Sequence, residues 1–217
     1  MNLELFYPVR NFKINQGFAE NRACSNPDTS GVENEVTIGV CPEGKVHLYP
    51  LLGLPNGHNG LDIRAGLWEP VYASQEGIVR EKQTEINRGL GVSVVTEKKY
   101  KVNDLVEECL IKHRYWHLIA INVEERQRVR AGDLIGWADS TGYSSGHHLH
   151  FEVKPVVWDM FDYKNILQNN GFYGCIDPKP YLNGLYGMDI LPALDRLREA
   201  VAQLAEKIAE YIRIKGR

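Results

Sequence analysis

The sequence predicts a mainly β protein, an antiparallel sheet or small barrel, that ends in one C-terminal α-helix. Three observations predict it. From residue 70 to 153 the chain is a series of short runs of apolar or β-branched residues, with Gly, Asn or Asp between several of them. No helical period of adequate length occurs before residue 188. Beyond it, apolar residues recur at spacings of four and three, the seam of an amphipathic helix.

Composition narrows the class. A chain of 217 residues can bury one substantial core, and 43% hydrophobic with 24% charged residues is ordinary for a globular protein. A formal net charge of -3, with no basic stripe interleaved with aromatics, argues against a nucleic-acid partner. No apolar run approaches the ~20 residues that span a bilayer. Met1-Asn-Leu-Glu-Leu-Phe-Tyr-Pro8 lacks a basic stretch followed by an apolar one, so no secretory signal is expected as written, and localisation is unknown from the sequence. None of the four cysteines forms a Cys-x-x-Cys pair, which argues against a zinc ribbon. A disulfide between Cys24 and Cys41 and four free thiols are equal alternatives.

The elements follow in order. Residues 1–22 read as a short strand, a Gly turn and a loop. Residues 23–46, punctuated by Pro27, Gly31, Pro42 and Gly44, read as a surface insertion, with a strand only over Glu35–Val40. Asn56, Gly57, Asn59 and Gly60 forbid a stable helix, so His58 lies in a loop; a strand starts at Leu61 and sets Asp62 opposite Leu61 and Ile63. Strands are expected over Pro70–Ser74, Gly77–Lys82, Gly91–Glu97, Glu108–Leu118, Arg128–Val129, Leu134–Ala138 and His148–Lys154. Most aromatics of the stretch 155–187 should pack on the sheet, with a short helix around Asp159–Gln168. In 188–217, Leu194, Val201 and Ile208 alternate with Ile190, Leu197, Leu204 and Tyr211. That seam suits a coiled-coil homodimer through residues 190–211, or a helix docked on its own domain.

The chemistry concentrates in Gly142-Tyr-Ser-Ser-Gly-His-His-Leu-His-Phe-Glu-Val153. Leu149, Phe151 and Val153 alternate with His148, His150 and Glu152, so one strand face would carry two imidazoles and a carboxylate. Residues two apart stand roughly 6–7 Å from each other. Both histidines can ligate one metal, or one can ligate while the other moves a proton. A catalytic zinc needs about three protein ligands, and His58, Asp62 and His150 offer two imidazoles and a carboxylate. His117 and His148 are then left as uncoordinated imidazoles. If its strand is regular, His117 shares a face with Tyr115, and His113 could share it too, although a solvated His113 is preferred. No His-Glu-x-x-His motif is present to place a glutamate as base.

His58-x-x-x-Asp62, then Tyr115-x-His117-Leu118, then His148-x-His150, resembles the lysostaphin-type zinc endopeptidases of bacterial cell walls. Pro70–Val79, Val129–Gly136 and Asp139–Val153 add to the resemblance, which covers about residues 51–155. It implies a barrel-sandwich core of the duplicated hybrid motif type with a groove over the sheet. The expected division of the chain is a zinc peptidase domain over 1–187 and, from the heptad spacing, a helix over 188–217. One zinc per chain would be held by His58, Asp62 and His150. His148 would be the general base and His117 would stabilise the oxyanion, with the two roles exchangeable. Tyr115, His147 and Glu152 are weaker candidates for partners or groove residues; core packing for Tyr115, a plain turn position for His147 and a sheet-surface carboxylate for Glu152 are equal alternatives. The implied partner is a peptidoglycan peptide, cleaved by metal-activated water at the cell wall, in a phage-associated or exported enzyme. The departures are His147 in place of a more usual proline, the 23–46 insertion and the C-terminal helix, and they leave the specificity open. The competing expectation is a non-catalytic wall- or partner-binding module that keeps the fold.

Overall fold

The computed structural model describes residues 1–20, 54, 56–103 and 105–187. The expected 23–46 insertion, Cys24 and Cys41, and the expected 188–217 helix lie outside the described residues. Among the described residues, ten strands form one antiparallel sheet: β1 (Ile14–Gln16), β2 (Leu61–Arg64), β3 (Pro70–Tyr72), β4 (Gly77–Glu85), β5 (Gly89–Val95), β6 (Leu110–Ile121), β7 (Arg128–Val129), β8 (Leu134–Ala138), β9 (His148–Trp158) and β10 (Tyr163–Asn165). Their main order is β1-β2-β9-β6-β5-β4-β7, with β10 on β9 and β8 bridging β3 and β6. The fold is therefore mainly β, as expected. Among the described residues no helix is long and apolar enough to cross a membrane.

Alternation along β6 and β9 builds the core. Leu149, Phe151 and Val153 from β9, and Ile111 and Tyr115 from β6, are buried with Leu61 and Ile63 of β2. Phe151 pairs across the sheet with both Leu61 and Tyr115. Partners directly opposite in an antiparallel pair project to the same face. The intervening residues, His148, His150, Glu152 and Lys154, therefore share the other face, beside Asp62 and Arg114.

Three expectations are corrected here. Residues 159–168 are not a helix. The β9–β10 hairpin turns on Asp159, whose Oδ1 accepts the N–H groups of Phe161 and Asp162 at 3.2 and 3.0 Å, and Met160 takes φ 78°. Trp158 and Phe161 are exposed on this hairpin. Most consequential, β6 is not regular. His117 has φ 62°, and between Tyr115 and Leu118 the strand runs one residue longer than its partner β5 does from Val92 to Leu90. This is a β-bulge, which re-aims a side chain. Tyr115 stays on the core face, fully buried, and its hydroxyl accepts the Ser74 N–H at 2.8 Å, so it belongs to the core and not to the site. His113 is likewise buried, against Phe151, and is not solvated.

Candidate metal centre and groove

A groove of about 570 Å³ runs over the polar face of the sheet, with His58, Asp62, His117, His148 and His150 among its lining residues. Asp62 and His150 are register partners on β2 and β9, which fixes their side chains next to each other. His58 arrives from the loop before β2. That loop is clamped to the N-terminal segment: His58 N–H donates to Glu20 O and Ala19 N–H to His58 O, each at 2.8 Å. Gly60 lies between the two. A Cβ there would come within 2.6 Å of the Phe151 carbonyl oxygen and 2.9 Å of the His150 ring, so only glycine lets the loop and the imidazole pack together.

The three donor atoms form a tight triangle. His58 Nε2 is 2.9 Å from His150 Nδ1, His150 Nδ1 is 2.8 Å from Asp62 Oδ1, and His58 Nε2 is 3.1 Å from Asp62 Oδ1. Each imidazole turns its second nitrogen to an acceptor. His58 Nδ1 donates to Gly17 O at 2.9 Å, and His150 Nε2 lies 3.3 Å from Glu152 Oε1. Such outer contacts orient metal-binding rings and set their tautomers. Burial would lift the Asp62 carboxyl, but contacts to His148, His150 and His58 outweigh it and hold it far below the usual range. Burial would lower His150, but hydrogen bonds to Asp62 and Glu152 carry it up to about 9.

The two remaining imidazoles stand beside the triangle. His148 Nδ1 donates to Gly146 O at 2.8 Å, and its Nε2 is 3.5 Å from Asp62 Oδ1. Burial opposes its charge, yet Asp62 raises its pKa. His117 Nδ1 donates to Thr141 O at 2.6 Å, its ring centroid is 4.6 Å from that of His148, and burial lowers its pKa to about 4. Gly142 holds this corner closed. At φ 78° it passes so near the β4–β5 turn that a Cβ would lie 2.2 Å from Gly89 N.

Of the weaker candidates, Glu152 sits under the centre. It is fully buried, touches His150, and accepts from Asn59 Nδ2 at 2.8 Å. Tyr115 is on the other face. His147 is not among the groove-lining residues; it is half exposed, with Nδ1 3.0 Å from Asp139 Oδ1. Sequence reasoning missed Asn59, Arg88, Arg114, Lys154 and Tyr173, which complete the groove wall. Arg114 and Lys154 carry a legible signal, since both follow the period of two on the face of Glu152. Arg88 and Tyr173 come from loops and carry none.

Two imidazoles and a carboxylate around one point, with two free imidazoles alongside, is the arrangement of a metal-dependent hydrolase. Residues 56–160 match Peptidase family M23. The glycyl-glycine endopeptidase ALE-1 of Staphylococcus capitis is 40% identical over 140 residues, 62% of this chain and 33% of that protein. The peptidoglycan DD-endopeptidase ShyB of Vibrio cholerae is 33% identical over 139 residues, 63% of this chain and 29% of that protein. The chain thus spans about a third of the length of these curated relatives. The catalytic domain of lysostaphin from Staphylococcus simulans aligns with 79% of this chain and 92% of that domain at 23% identity, with a TM-score of 0.48.

Proposed function

We propose that the chain is a zinc-dependent endopeptidase that hydrolyses peptide bonds of bacterial peptidoglycan at the cell wall. The observation that carries this reading is the donor triangle of His58, Asp62 and His150 with His148 and His117 beside it in one groove. Three protein donors of this chemistry are what a catalytic zinc uses. Bonds of about 2.0–2.1 Å set tetrahedral ligands roughly 3.3 Å apart, close to the 2.8–3.1 Å edges of the triangle. The match to the M23 family, and relatives named for peptidoglycan or glycyl-glycine cleavage, support the substrate.

Zinc bound at this site would polarise a peptide carbonyl and lower the pKa of water toward about 7. The chain's own groups do the rest. His148 holds its Nδ1 proton on the Gly146 carbonyl, so Nε2, beside Asp62, is the basic nitrogen that takes the proton of the attacking water. The same nitrogen then returns that proton to the leaving amine. His117 has its Nδ1 proton committed to Thr141, and burial keeps the ring neutral. In that tautomer Nε2 accepts, and on this reading His117 orients the water. Glu152, through His150 Nε2, fixes the ligand ring.

Residues 1–187 form the peptidase domain on this reading, supported by N–H donation from Leu5 to Tyr181 O and from Tyr7 to Leu185 O, which ties its two ends together. The heptad spacing of 190–211 supports a homodimer, to be checked by sedimentation of the full chain. The test of the activity is digestion of purified peptidoglycans that differ in cross-bridge chemistry, with product masses as readout. New amine and carboxyl ends at one peptide bond are expected. Intact wall peptides after incubation with the zinc-loaded protein would refute the reading.

A further inference from the structure

One wall of the groove carries charge that the peptidase chemistry does not use. Arg88, Arg114 and Lys154 all line it. Among the described residues, two carboxylates answer these three cations. Glu152 lies 3.3 Å from Arg88 Nε, 3.3 Å from Arg114 Nη1 and 3.6 Å from Lys154 Nζ. Glu85 lies 2.7 Å from Arg88 Nη1 and 3.2 Å from Arg114 Nη2. Three cations against two carboxylates leave one positive charge in excess on this wall, and Glu152 is shared with His150.

Arg88 is where that excess meets the groove. Its side chain is 23% exposed, against 10% for Arg114 and 6% for Lys154. Glu85 and Glu152 engage two nitrogens of a guanidinium that has five N–H donors. The group is held between the rings of Trp116 and Tyr173, at 5.7 and 5.8 Å from their centroids. Its backbone carbonyl accepts the His117 N–H at 3.2 Å, which joins Arg88 to a residue that lines the same groove. A guanidinium fixed by two carboxylates and two rings has already lost the rotamer freedom that binding would otherwise cost. Its remaining donors match the planar fork of a carboxylate.

We infer that Arg88 is a specificity residue that binds a carboxylate carried by the peptide substrate near the scissile bond, so that the groove prefers carboxylate-bearing wall peptides to neutral glycine bridges. The inference rests on the peptidase reading above and names its substrate class. Such a carboxylate has two sources: the C-terminus of a stem peptide, or the side chain of a diamino-dicarboxylic acid in a cross-link.

The test measures kcat/KM of the zinc-loaded full chain on matched synthetic wall peptides. One pair carries the C-terminus as acid or as amide, a second pair carries the diamino-acid carboxylate free or amidated, and a pentaglycine-bridged peptide completes the set. Amidation in one of the two pairs is expected to lower kcat/KM by about tenfold, the effect of a charge-assisted hydrogen bond, and the affected pair identifies the source. Arg88→Gln should bring that acid-to-amide ratio to about one, and Arg88→Lys should keep part of it. Zinc content of the variants checks that they fold, and the wild-type ratio decides the matter if they do not. Equal rates within both pairs, a preference for the glycine bridge, or an undiminished ratio in Arg88→Gln would overturn the inference and leave the peptidase reading standing. Failure to cleave any of the peptides would remove both.

Discussion

Strands β6 and β9 bury imidazoles on both of their faces, and the two faces treat them in opposite ways. On the core face His113 stacks against Phe151, with neither ring nitrogen hydrogen-bonded among the described residues, and burial drives its pKa down to about 3. On the groove face His150 is almost as buried, yet Asp62 and Glu152 raise it to about 9. The difference lies in the partners. A ring surrounded by carbon is a neutral packing unit; a ring between carboxylates is an electron-rich donor with a fixed direction. Burial of a histidine is therefore no guide to function in this fold, and the polar contacts of its second nitrogen are.

The largest expected effect comes from breaking the groove face at its centre. His150→Ala should abolish zinc retention and lower peptidoglycan hydrolysis by at least ~10³-fold, since the metal's contribution to the barrier is several kcal/mol; metal analysis and a turbidity assay of wall lysis would read both. Glu152→Gln sharpens the comparison, because it keeps the shape and removes the charge. It should weaken zinc binding by about 10–100-fold in competition with a chelator. It should also lower stability by about 3–5 kcal/mol, because Arg88, Arg114 and Lys154 lose their buried counter-charge.

The smallest effect is expected from the core face. His113→Phe should leave zinc content and turnover unchanged and shift stability at pH 7 by no more than ~1 kcal/mol, since it removes two ring nitrogens that have no partner. Its signature is in acid. The folded pKa is about 3 and the ordinary value 6.5, so between them the unfolded chain binds the extra proton. The native state then loses stability as pH falls from 6.5 toward 3, by up to about 1.4 kcal/mol per pH unit. Denaturant melts across that range should show this loss in the wild type relative to His113→Phe. Parallel pH profiles would mean that His113 does not stay neutral in the core.

The same contrast explains what could be read in advance. The period of two over His148–Lys154 identified which residues share a face, because β9 is regular there and one side is buried. Asp62 and His58 were legible for a similar reason: glycines and asparagines mark the loop, and alternation marks the strand. The relation of Tyr115 to His117 is not legible in the sequence because it depends on a bulge. A single residue at φ 62° reverses the face, and His117 itself bears no sign of it. The hairpin at Asp159 went unseen because an Asp side chain closing a turn looks, in sequence, like an acidic residue at a helix start. Arg88 and Tyr173 reach the groove from turns far apart in the chain, which no local pattern encodes.

The central claim is a division of labour on one strand face, with His150 holding the metal and His148 moving the proton. His148→Ala tests it most directly, with zinc content and hydrolysis of cross-linked wall peptides measured on the same sample. One zinc per chain with turnover reduced by about 10²–10⁴-fold is the expected result. Zinc lost together with activity, or turnover equal to wild type, would contradict it.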